Sequence, residues 1–204
     1  MMHGLIVVAV AGGFGVLAAI GTAVGRFFVA GAVPFADGPT PRTPNVAAIA
    51  GAGALLGLCA AARGADATEL GLCAALTVVL AGIAYADVRC GLVPDVFTLA
   101  PLIAVLAGDA LLHHWVGIAA AALVAGPFAV AAAFSKGRGM GWGDVKLVAL
   151  GASVLGAQSA LLAFTAACFA AAAVAAVRRR RSAIAFAPYL AASIAIVVAL
   201  HGVI

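Results

Sequence analysis

Apolar residues fill long, nearly uninterrupted runs along this chain, and polar residues fall in short clusters between them. A helix that crosses a bilayer needs about 20 apolar residues. Counted that way, the chain offers up to eight segments, at approximately 4–25, 46–62, 69–86, 96–112, 115–134, 145–155, 159–177 and 183–204. The sixth is too short to cross alone, so it merges with its neighbour or stands as a broken helix. The pattern predicts an all-α, polytopic membrane protein with seven or eight transmembrane helices. The longest polar interruption, about 30–45, carries four prolines and two glycines and cannot hold a helix. No linker is long enough to separate two domains, so residues 1–204 are expected to form one.

Composition agrees. The chain is 66% hydrophobic and 9% charged, with a mean hydropathy of +1.24, whereas a soluble domain carries roughly a quarter charged residues. There is too little polar surface to cover a globule, and lipid must be the solvent for most of the chain. Charge sets the orientation. With the N-terminus outside, the cytoplasmic loops hold Arg26, Arg42, Arg89, Lys136, Arg138, Lys146 and Arg178 to Arg181, leaving only Arg63 outside. Topology therefore explains the basic clusters, and the net charge of +4 gives no reason to expect nucleic acid. The first 30 residues lack a basic start, having only His3 before the apolar run, so an uncleaved first span is expected.

Cys59, Cys73, Cys90 and Cys168 form no Cys-x-x-Cys pair, which argues against structural zinc. Neither a metal nor a cofactor is expected. His113 and His114 fall at the outer end of a span and His201 near a terminal interface. Gly21-x-x-x-Gly25 and Gly53-x-x-x-Gly57 have the spacing of close helix contacts, a weak signal among 25 glycines.

Two acids stand out because an acid this deep in a membrane-type sequence is expensive. Asp87 ends an apolar run in Ala-Tyr-Ala-Asp-Val-Arg-Cys-Gly-Leu-Val-Pro-Asp. Pro94 biases Val93 away from helix, so Arg89 to Val93 reads as an exposed turn and a new helix starts near Pro94 or Asp95. Asp144 follows a glycine-rich turn, Gly139-Met-Gly141-Trp-Gly143, and opens the next apolar segment with Lys146 two residues on. The helix dipole disfavours negative charge at the first position and favours it at the second, as expected of an acid/base pair. If the two meet, they share one proton and titrate as a unit. One carboxylate can then activate water while its protonated partner polarises a peptide carbonyl. The plainer alternative is that Asp144 only caps a helix and Asp87 pairs with Arg89.

The two segments together resemble the type IV prepilin peptidases, membrane aspartic proteases of the Gly-x-Gly-Asp type. Their first motif is matched by Asp87, Arg89, Val93, Pro94 and Asp95. The second is matched by Gly141, Gly143, Asp144, Lys146, Leu147 and Gly151. A closing proline segment is similar to Ala185-Phe-Ala-Pro-Tyr-Leu190, so the resemblance covers roughly 80–200. It implies Asp87 and Asp144 as the catalytic pair, with Arg89 and Lys146 steadying them or the substrate. It also implies that Gly139, Gly141 and Gly143 shape a loop over the site. The implied substrate is a prepilin or pseudopilin precursor, cut at the cytoplasmic face of the inner membrane just before its apolar helix. The 26–45 loop lacks the paired cysteines that larger members associate with N-methylation, so no methyltransferase activity is expected. Two other readings compete. One is a small transporter whose acids relay protons or cations along a polar path; the other is an inactive partner in a pilus or secretion assembly.

Overall fold

The computed structural model describes residues 2–31, 43–134, 141–178 and 185–203. They form α1 (Met2–Phe28), α2 (Val46–Arg63), α3 (Ala67–Cys90), α4 (Asp95–Leu111), α5 (Trp115–Phe134), α6 (Trp142–Arg178) and α7 (Ala187–His201). Among the described residues there is no strand. The helix starts are chemically marked. Asn45 accepts the Ala48 N–H at 3.1 Å to open α2, and Asp66 accepts the Glu69 N–H at 2.8 Å to open α3. Each satisfies a donor that a helix N-terminus leaves unpaired.

At the α2–α3 turn, Arg63 Nη2 lies 2.6 Å from Glu69 Oε1 and 3.5 Å from the Val198 carbonyl, tying the end of α7 to this corner. The opposite end of α3 runs further than the hydropathy pattern suggests. It continues through Arg89 to Cys90, and Gly91 stops it at φ 66° by donating its N–H to the Asp87 carbonyl at 2.8 Å. Arg89 therefore belongs to the last helical turn, and the connecting turn is only 91–94.

Five helices, α1, α2, α3, α5 and α6, are long and apolar enough to cross a membrane. With 17 and 15 residues, α4 and α7 are shorter, about 26 and 22 Å, and α4 stands at the lower limit of about 17 residues for a crossing helix. Against the seven or eight expected, the described residues hold seven helices, five of them of clear spanning length.

The 37 residues of α6 are not one rod. Gly156 has φ 75° and ψ 165°, a region open essentially to glycine alone. A methyl group on Gly151 would stand 3.2 Å from the ring of Phe164, although 13 residues of continuous helix span about 20 Å. The helix therefore doubles back, with arms at 142–155 and 157–178. This resolves the short sixth segment, because the first arm need not face lipid. Leu147, Val148, Leu150 and Ala152 are all at most 1% exposed.

The core joins this arm to α3 and α7 through Ile83, Leu190, Ile194 and Val198. Lipid tails are as apolar as these side chains, so close fit rather than water exclusion holds such helices together. The glycine pairs serve that fit. A methyl group on Gly25 would approach the Gly82 carbonyl oxygen of α3 to 2.8 Å, and one on Gly57 would enter the Phe14 ring of α1.

Candidate active site

Four segments meet at one end of the bundle: the end of α3, the turn 91–94, the start of α6 and the start of α7. Gly141 stands just before α6, where its carbonyl accepts the Val145 N–H at 3.3 Å. Three residues on, the Asp144 carboxylate turns back to the Gly141 backbone, as an acid at the third helical position does in a capping box. Gly143 packs against the neighbouring turn, and a methyl group there would stand 2.8 Å from Val93 Cβ. Pro94 precedes α4 as its N-cap, and Asp95 in the first turn of α4 pairs with Lys146 of α6, Nζ to Oδ1 at 2.5 Å. The glycine turn and the proline turn are thus held together by a close contact and an ion pair.

Asp87 is 6% exposed, while Asp144 is half-buried. The two carboxyl groups lie within Coulombic range of each other. Asp87 makes no pair with Arg89, which is exposed and without a side-chain partner among the described residues. Its Oδ2 instead accepts the Ala187 N–H at 3.1 Å, in a buried contact. Asp87 therefore sits where the C-terminus of α3 meets the N-terminus of α7. Besides the unfavourable α3 dipole that the sequence predicts, the positive end of a second helix faces it. The signal was in the chain, since Pro188 occupies the first turn of α7, where proline marks a helix start with free N–H groups.

The other sequence assignments divide. Gly141, Gly143, Pro94 and Asp95 lie at this end. Lys146 is there too, but it engages Asp95 and neither of the two central acids. Gly139 lies outside the described residues. Cys90 is buried against Val29 and Ala86 and is closed to reagents. Trp142 is 54% exposed at the start of α6. His113 and His114 fall after the far end of α4. Among the described residues no three His, Cys, Asp or Glu side chains gather as a metal site would require.

Fold and site together define a helical membrane protein that gathers two acids from distant helices at one end of its bundle. The model of the type IV leader peptidase family matches residues 74–176, half of the chain, and the protein belongs to that family. It is therefore a peptidase, a hydrolase of peptide bonds. The matched stretch carries both acids and both turns. No curated protein and no solved structure matches the chain.

Proposed function

We propose that the protein is a membrane aspartic endopeptidase that removes the leader of a prepilin or pseudopilin precursor at the cytoplasmic face, with Asp87 and Asp144 as its catalytic pair. The observation that carries this reading is the convergence of those two carboxyl groups at the junction of α3, α6 and α7. In the reaction, one carboxylate takes a proton from water as the water oxygen adds to the scissile carbonyl carbon. The other carboxyl group gives its proton to the carbonyl oxygen. As the tetrahedral adduct collapses, one of its hydroxyls returns a proton to the carboxylate that had given one, the C–N bond breaks, and the departing nitrogen takes the proton held by the other acid, which restores the pair. The positive-inside rule puts this end of the bundle in the cytoplasm, with the N-terminus outside and the chain crossing the inner membrane several times. A relay reading finds less support, because the interior beneath the acids is Ile83, Leu147, Leu150 and Leu190, which offer no proton path.

The test is cleavage of a tagged precursor co-expressed with wild type, Asp87→Asn or Asp144→Asn. Wild type should cut, and both variants should be present in the membrane and silent. Cutting that survives either substitution would remove the two-acid mechanism.

A further inference from the structure

Beside the acids, a cavity of about 260 Å³ lies between α2, α3 and α7, with α1 touching its edge. It begins within a turn of Asp87 on α3. Ala84, in its wall, lies one turn before Asp87 on α3, and Pro188 follows the Ala187 whose N–H holds Asp87. From there the wall follows α3 from Ala84 to Thr77 and α7 from Pro188 to Ala195, about 10 Å along each helix. Both run away from the acid end and into the bilayer.

The wall is almost wholly small and apolar. Its one hydroxyl, on Thr77, is already bonded to the Cys73 carbonyl at 2.8 Å, so the cavity offers nothing to a polar ligand. Its volume is below the roughly 300–1,000 Å³ of small-molecule sites. It exceeds the roughly 150 Å³ that takes a benzene-sized group, so one or two large apolar side chains fill it. Ala48 and Ala52 of α2 and Ala192 of α7 line it and are themselves exposed. The cavity therefore opens between α2 and α7, where small residues let another helix approach closely.

We propose that this groove docks the apolar helix that follows the scissile bond in the precursor. One or two side chains of that helix's first turns fill the groove and fix which peptide bond reaches the carboxyl pair. The proposal rests on the peptidase reading, which supplies a substrate with an apolar segment immediately beyond the cut. Position and direction select this occupant, since the groove begins one turn from Asp87 and leads from it into the lipid.

The test uses the full chain in membranes. Ala52→Phe and Ala192→Phe fill the groove from its two open sides, and Leu58→Phe places the same ring on α2 outside it. The substrate is a tagged precursor with a basic leader and an apolar helix of about 20 residues. Both groove variants should raise KM at least tenfold with kcat nearly unchanged, while Leu58→Phe behaves as wild type. A leader-and-junction peptide without the apolar helix should show the same KM for all four proteins. As a second measurement, a benzophenone side chain in place of Ala192, combined with Asp144→Asn, should cross-link to the first turns of the precursor's apolar segment. The groove proposal is overturned if wild type cuts and both ring substitutions leave KM unmoved. Cross-links to lipid alone, or to a second copy of the chain, overturn it equally. If wild type cuts no precursor, the peptidase reading itself has failed, and the groove proposal with it.

Discussion

Replacing Gly143 with alanine tests how closely the two loops of the site must meet. The new methyl group would stand 2.8 Å from Val93 Cβ and 3.3 Å from its Cγ2. Carbon atoms settle at about 3.5–4.0 Å, so about 1 Å must be found between the turns at 91–94 and 141–144. Each turn adjoins one of the acids, and neither can yield without moving a carboxyl group. Overpacking of this kind costs about 1–3 kcal/mol in stability. A displacement of about 1 Å at a reacting centre can cost about 100-fold in rate.

The assay is a time course of precursor cleavage in membranes, with melting temperature followed in detergent. Gly143→Ala should cut about 100-fold more slowly. The colliding partner is the Val93 β-carbon, so Val93→Gly should relieve the clash where Val93→Ala should not. The double variant Gly143→Ala/Val93→Gly should therefore recover at least tenfold of the lost rate, a coupling of about 1.4 kcal/mol, within the range expected of residues in contact. A Gly143→Ala protein that cuts at the wild-type rate would refute the reasoning. So would a double variant no faster than the single.

Three further outcomes are expected. Gly156→Ala should destabilise by about 1–3 kcal/mol, because its φ of 75° with ψ of 165° suits only glycine; Gly108→Ala, with open space around it in α4, should be neutral or stabilising, and equal melting temperatures for the two would refute the hairpin. Asp109→Leu should leave the melting temperature unchanged or higher and cleavage intact, because Asp109 Oδ2 is buried without a hydrogen-bond partner and an unpaired buried acid costs stability; loss of activity would favour a relay. For topology, a cysteine replacing Arg89 should react with an impermeant maleimide only after the cells are opened, whereas one replacing His114 should react in intact cells. The reverse pattern would invert the orientation.

Much of this was legible in the chain because lipid makes the hydropathy pattern nearly one-dimensional. The 46–62 and 115–134 segments match α2 and α5 within a residue, and 96–112 within one. The end of α3 lies four residues beyond the hydropathy boundary at 86, because Gly91 rather than the Pro94 signal terminates it. The brevity of 145–155 was visible, but its cause was not. A buried arm and a lipid-facing one share the same alanine- and leucine-rich composition, and only the contact of Gly151 with Phe164 separates them.

The acids were found from the cost of burying charge. What holds them was not, because a backbone N–H such as that of Ala187 carries no signature in its side chain. Lys146 shows the converse limit. Sequence put its charge beside Asp144, but its long stem delivers that charge to Asp95.

The bond between Asp87 and Ala187 joins residues 100 positions apart, so it forms only late in synthesis. A nascent chain that has emerged as far as the α6 hairpin already contains both carboxyl groups and both turns. It lacks the N–H that holds Asp87 and the wall of the groove that α7 provides. Under the proposed mechanism such a chain is inert beside the other apolar segments leaving the insertion machinery. On that mechanism the site is complete only once α7 docks, so a partly translated chain would carry both acids without the N–H that orders one of them.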